Sequence, residues 1–175
     1  MWLIFSVSNE PQIDRTMRLV LPYLLTTLAM VVVAFAGMQA TDIGEWYRNL
    51  NKPSWQPPDW AFGAAWTTIY ICIIAAVGMA WNVAEVGEKQ RLLLVLGVNL
   101  GLNILWSYLF FAWRRPDWAL IEVVFLWISI VVLMIVLYGI RPASGLLMLP
   151  YFAWVSVASY LTLTIVRINP AFGSS

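Results

Sequence analysis

The side chains of this chain that could do chemistry are amides, indoles and phenols, and they recur four residues apart inside apolar runs. Asn99 and Asn103 share one face of a helix, as do Trp66 and Tyr70, and Trp154 and Ala158. Amides offer a donor and an acceptor, either to a ligand or to a neighbouring helix. Indoles stack on flat apolar molecules, and an interior Trp beside a small residue such as Ala158 makes a wall with a gap; core packing is the alternative reading. Trp106 and Ser107 fall near the asparagine side of their helix. Such a set binds rather than moves protons. The chain has no histidine, the commonest general base and metal ligand, and this rules out a His-ligated haem. No metal site and no cofactor is expected. Glu122 is the one acid well inside an apolar run. Five residues past Asp117, it is expected to snorkel or to pair with a loop cation. Cys72 reads as a small core residue.

These groups need a scaffold, and composition names its solvent. The chain is 62% hydrophobic and 11% charged, far from a soluble domain. Apolar runs cover residues 19–40, 61–82, 91–113, 118–140 and 144–166. About 20 residues at ~1.5 Å each cross a hydrocarbon core of ~30 Å. Lipid cannot satisfy free backbone groups, and the runs are continuous rather than alternating, so helices are expected and a barrel is not. The expected fold is all-α, a five-transmembrane-helix bundle spanning residues 19–168 with a long lid loop between the first and second spans. Residues 1–18 read as an N-terminal tail, with no cleavable targeting segment expected because Met1–Val7 is too short and Glu10 and Asp14 follow; residues 169–175 read as a C-terminal tail. Basic residues divide five against five between the two sides, which gives orientation no vote. A net charge of +1 gives no case for nucleic acid.

The long connection is the unusual one. It holds Trp46, Trp55 and Trp60, with Pro53, Pro57 and Pro58. Prolines fix the backbone and tryptophans favour burial, so this segment should fold onto the bundle. The other connections are short, and tight turns force antiparallel neighbours. Gly97 and Gly101 form a Gly-x-x-x-Gly pair on the third span, nearly opposite Asn99 and Asn103. Such a smooth face suits either internal packing or a homodimer. Trp60, Trp81, Trp113 and Trp118 sit at span ends, where an interfacial belt is the ordinary explanation.

The order Trp-Tyr-x-x-Leu-x-Lys-Pro-x-Trp-x-Pro-Pro at Trp46 through Pro58 resembles the signature of the translocator protein family. Its bacterial members are the tryptophan-rich sensory proteins, and it is also known as the peripheral-type benzodiazepine receptor family. The resemblance continues through Trp66, Asn99 to Asn103, Trp118-Ala119-Leu120-Ile121-Glu122 and Pro150-Tyr151-Phe152-Ala153-Trp154, over roughly residues 20–168. It implies a pocket closed by the first loop and binding of tetrapyrroles, protoporphyrin or haem, and of synthetic isoquinoline carboxamide and benzodiazepine ligands. By motif match Trp66 and Trp154 form aromatic walls, with Ala158 one turn on, and Asn103 donates to a ligand carbonyl. Tyr70, Trp106 and Ser107 fill the sides, and Trp46, Tyr47 and Pro57 are lid contacts. Arg48 or Lys52 would meet propionates. The resemblance also implies a homodimer through Gly97 and Gly101, and a multi-pass protein of a bacterial cell membrane, with the mitochondrial outer membrane as the alternative.

The mitochondrial members carry a sterol-recognition pattern late in the fifth span. Here six residues separate Tyr160 from Arg167, one more than that pattern allows, so sterol binding is left open. The function expected is a tetrapyrrole-binding stress or metabolite sensor. One alternative is a porphyrin or sterol transporter. The other is a light-dependent porphyrin-degrading enzyme, with Trp66 and Trp154 as electron donors.

Overall fold

Backbone groups that enter hydrocarbon must be bonded within their own helix, so each spanning helix here begins before its apolar stretch and stays helical to within about one residue of its end. The computed structural model describes residues 12–170 and Phe172. Helix α1 spans Gln12–Ala40, α3 spans Asp59–Trp81, α4 spans Val86–Ser107 and α5 spans Pro116–Ile140, with a short α2 at Glu45–Asn49. A π-helical turn, Tyr108–Ala112, extends α4. The first span starts at Gln12, so Gln12–Arg18, expected in the tail, are helical; the expectation for Met1–Pro11 lies outside the described residues. Five helices are long and apolar enough to cross a membrane, and the described residues contain no strand.

The fifth span departs from a single helix over 144–166. It divides into α6, Pro142–Leu146, and α7, Leu149–Ile168. Pro150 is the cause: it has no N–H to donate to Leu146, and its ring would collide with that carbonyl. The same end needs a glycine. A Cβ on Gly145 would lie 2.9 Å from the Met134 carbonyl oxygen and closer still to Tyr138. Gly78 likewise leaves room for the Tyr23 ring where α1 and α3 cross.

The packing closes a ring in the order α1, α3, α7, α5, α4 and back to α1. Its dry centre holds Ile69, Ile73, Ala76, Leu92, Ile130, Leu133, Leu137 and Met148. Leu24, Leu28, Phe35, Ile71, Leu94, Phe125 and Ile135 face outward, which suits a surface whose solvent is lipid. Gly97 and Gly101 lie on that outer surface too, where an added Cβ would meet nothing within 4 Å.

One polar network crosses the centre. Asn99 Nδ2 donates to Ser129 Oγ at 2.8 Å, and Ser129 Oγ donates to the Leu126 carbonyl at 2.7 Å. Tyr151 Oη donates to Asn99 Oδ1 at 3.3 Å and accepts from Asn103 Nδ2 at 3.1 Å. Three helices, α4, α5 and α7, are thereby fixed in register. Replacing Tyr151 by Phe keeps the ring but leaves both asparagines short of a partner. We expect Tyr151→Phe to cost about 1–2 kcal/mol, read as a fall of several degrees in thermal unfolding in detergent. An unchanged midpoint would mean the network carries no stability.

Candidate functional site

The site sits at the end of the ring where residues 41–58 cross it. Its walls come from three spans. From α3, Phe62 and Trp66 point inward, and Phe62 meets Trp154 of α7 edge-on with centroids 5.3 Å apart. From α4, Trp106 and Ser107 face the same space. The π-helical turn that follows takes an extra residue per turn, so Phe110 and Phe111 both reach inward. Phe110 stacks on Trp106 at 5.2 Å, and Phe111 tilts against Tyr47 at 5.5 Å. Ala158, one turn beyond Trp154 on α7, leaves the gap.

The crossing segment is fastened by its polar groups. Asn51 N–H donates to Asn169 Oδ1 at 2.9 Å, and Asn169 Nδ2 donates back to the Asn51 carbonyl at 2.9 Å. Asn51 Nδ2 adds a bond to the Ile168 carbonyl at 3.3 Å. Trp55 stacks on Tyr160 of α7 at 5.1 Å, on the outside of the ring. At the other edge Arg114 meets Asp42 at 3.5 Å and lies 5.9 Å from the Trp46 ring. Arg114 has φ +55°, a conformation that favours glycine.

Together these elements enclose a cavity of about 410 Å³, within the ~300–1,000 Å³ range of small-molecule sites. Its aromatic wall is Tyr47, Phe62, Trp66, Trp106, Phe111 and Trp154. Its polar rim is Thr41, Arg48, Lys52 and Asp59, with Ser107 deeper. Lys52 Nζ sits 4.0 Å over the Tyr47 ring. Burial pushes the Tyr47 phenol above its ordinary range, Asp59 adds to this, and a hydrogen bond with Gln56 opposes it. The grooves on the lipid-facing surface are different. The one between α5 and α7, at Val124, Trp127 and Tyr160, is about 370 Å³ and nearly all apolar.

Of the residues singled out from sequence, Tyr47, Trp66, Trp106, Ser107, Trp154 and Ala158 meet at this cavity. Tyr70 lies outside it, its ring 5.7 Å from Trp66. Asn103 is buried outside the lining, its amide donating to Tyr151. Trp46 packs edge-on against Phe110 at 6.3 Å, and Pro57 is half-buried away from the wall. The N–H of Trp106 is buried with no protein acceptor. Glu122 neither snorkels nor pairs with a loop cation. It is 6% exposed, and neither carboxylate oxygen has a hydrogen-bond partner among the described residues. The nearby cation, Arg115, binds Asp117 instead.

Sequence reasoning missed Phe62, Phe111, Asp59 and the Asn51–Asn169 pair. Phe62 stands four residues before Trp66, a spacing that would have found it. Truncating either asparagine should loosen only the crossing segment. Asn51→Ala and Asn169→Ala are each expected to raise hydrogen exchange over residues 45–56 several-fold. A double-mutant cycle should give a coupling of about 1 kcal/mol. Exchange as slow as in the unaltered protein would show that the clamp does not hold the segment.

Comparison with known proteins agrees with this architecture. The TspO/MBR family matches residues 23–168. The Tryptophan-rich protein TspO of Chlorobaculum tepidum is 37% identical over 157 residues, covering 83% of this chain and 98% of that protein. Protein CrtK of Rhodobacter capsulatus is 36% identical, covering 83% and 94%. The human Translocator protein is 30% identical, covering 82% and 87%. With five spans, the arrangement of aromatic walls and a family match over most of its length, this chain is an integral membrane protein that belongs to the TspO/MBR family.

Proposed function

We propose that this protein binds a planar tetrapyrrole, protoporphyrin or haem, as a membrane sensor or regulator of stress or metabolite level. The observation that carries the reading is the cavity itself, three indoles converging under a rim that holds two cations. Trp66, Trp106 and Trp154 line the cavity and offer a flat macrocycle stacking area without any axial ligand. Arg48 and Lys52 are placed at the rim to pair with propionates, and Asp59 limits how much negative charge the rim accepts. The Asn103 amide is partly committed to Tyr151, so the indole faces rather than this amide carry the reading. The same aromatic walls suit isoquinoline and benzodiazepine ligands, whose aromatic rings are apolar and can stack on indoles.

A second reading has its own support. Trp66 lies 5.7 Å from Tyr70 and 6.2 Å from Tyr151, so the cavity wall continues into a line of oxidisable rings. In a light-driven oxidation the excited porphyrin would take an electron from Trp66 and pass it to dioxygen, and the tryptophan radical would recover an electron from the macrocycle, so that porphyrin is oxidised and dioxygen reduced without a general base. One titration addresses both. Protoporphyrin should quench the tryptophan fluorescence of the purified protein in detergent. Trp154→Ala and the pair Arg48→Ala/Lys52→Ala should each weaken binding about tenfold, roughly 1.4 kcal/mol. Trp113→Phe, which alters a residue 60% exposed on the outside, should not. Equal weakening by all of these variants would remove the cavity as the site. Under illumination, loss of porphyrin absorbance that slows in Trp66→Phe would favour the enzyme over the sensor.

We also propose that the outer face at Gly97 and Gly101 is the contact of a homodimer. Both glycines are exposed with open space before them, and a small-x-x-x-small face lets helices approach closely. Gly101→Leu should shift the protein from dimer to monomer in light scattering of the detergent complex. A Gly101→Leu protein that keeps the mass of the unaltered one would place the contact elsewhere or nowhere.

A further inference from the structure

Trp154 belongs to two spaces. It lines the cavity, and it also lines a groove of about 350 Å³ on the outer surface between α3 and α7. The groove between α5 and α7, by contrast, shares no residue with the cavity. Around Trp154 the outer groove is built from Ala64, Ala65 and Thr68 of α3 and from Pro150, Ala153 and Val157 of α7, none of them charged. From Asp59 at the rim, α3 descends about 7 Å to Ala64 and about 13 Å to Thr68. The groove therefore opens onto acyl chains, below the depth of the rim.

This seam is loosely built. α3 packs on α7 more thinly than any other pair of neighbours in the ring. Small side chains stand along it, and both Ala64 and Ala153 are exposed. The hydroxyls of Thr67 and Thr68 donate to carbonyls of their own helix, Gly63 and Ala64. Among the described residues no side-chain hydrogen bond joins α3 to α7. The Trp154 indole is steadied by its edge-on contact with Phe62. Moving that ring disturbs packing but breaks no hydrogen bond among the described residues. The mouth of the cavity is different, because the crossing segment spans it and Arg48, Lys52 and Asp59 stand there.

We infer that the α3–α7 seam is the entrance by which uncharged aromatic ligands dissolved in the bilayer reach the cavity, with Trp154 as its door. The inference rests on the cavity being a ligand site. A ligand lying in the groove is separated from the cavity by one indole, and that indole offers it a surface to stack on. Charge decides which ligands pass. A carboxylate would have to travel through hydrocarbon along a wall with no cation, which is costly. A tetrapyrrole bearing propionates enters past Arg48 and Lys52 at the mouth instead.

The two rate constants for a tritiated isoquinoline carboxamide, measured on the full chain in lipid nanodiscs, test the entrance. A plug in an entrance raises one barrier that is crossed in both directions, so it slows association and dissociation alike and leaves affinity unchanged. Ala64→Phe and Ala153→Phe fill the groove from its outer side, and each should slow both rates about tenfold at unchanged Kd. Val124→Phe, in the α5–α7 groove, should change neither rate. Quenching of tryptophan fluorescence by protoporphyrin should keep its rate in all three variants. Unchanged isoquinoline rates in both Ala64→Phe and Ala153→Phe overturn the entrance. So does a loss of affinity with association unaltered, or equal slowing by Val124→Phe. Equal slowing of protoporphyrin overturns the selection for uncharged ligands. No saturable binding of the isoquinoline to the unaltered protein would remove the cavity reading and the entrance with it. Saturable binding with unaltered rates in the plugged variants removes the entrance alone.

Discussion

A polar group buried among helices in hydrocarbon has no water to fall back on, and this constraint organises the molecule. Asn99, Asn103, Ser129 and Tyr151 satisfy one another in a small chain of bonds through the centre of the ring. Apolar packing alone holds membrane helices together with little directional preference, because lipid is as apolar as leucine. The network supplies direction. It fixes α4 against α5 and α7 at one level, and so fixes where Trp106 and Trp154 stand two turns nearer the mouth or less. The aromatic cavity exists because the layer beneath it is closed by amides and a phenol.

Above that layer the construction changes. The segment over residues 41–58 adds short, exposed bonds and ring contacts to one apolar contact, where Trp46, Tyr47 and Leu50 pack on the small cluster around Leu109, Phe110 and Leu161. Asn51 and Asn169 are partly solvated, as is the Arg114–Asp42 pair, whose side chains are each more than half exposed. Bonds of this kind are individually weak in water, and surface ion pairs add little. The centre and the cap therefore differ in stability by design of their surroundings. Local opening of the cap breaks few buried contacts, whereas displacing any wall residue disturbs the network below.

The five spans were legible because their signal is length and continuity of apolar residues, which the bilayer imposes on any spanning helix. Helical spacing also separated the asparagine face from the glycine face of α4: Asn99 and Asn103 are buried while Gly97 and Gly101 are exposed. What escaped falls into two kinds. Phase errors came first. The π-helical turn at Tyr108–Ala112 breaks the 3.6-residue count and brings Phe111 into the wall, and Pro150 divides the fifth span. Long-range partners came second. Asn51 and Asn169 are 118 residues apart, and neither position is marked by composition. Glu122 failed for a related reason. Its distance from the helix end suggested reach to a cation, but Asp117 takes Arg115 first and leaves Glu122 turned inward.

Acids stand beside cations at both ends of the ring, but they are held there by different demands. At the cavity end Asp59 and Asp42 stand among the cations, so Arg48, Lys52 and Arg114 form a mixed rim. A mixed rim attracts a ligand whose few carboxylates can find a cation while its bulk stacks below. At the far end Glu85 and Glu88 cap α4, each accepting the backbone N–H of the other, and both stay charged next to Lys89. Capping is a local demand of the helix terminus, since its first N–H groups have no partner within the helix. Meeting that demand with glutamates, rather than with serine or asparagine, keeps two negative charges beside Lys89, so the helix cap itself gives this end both signs of charge.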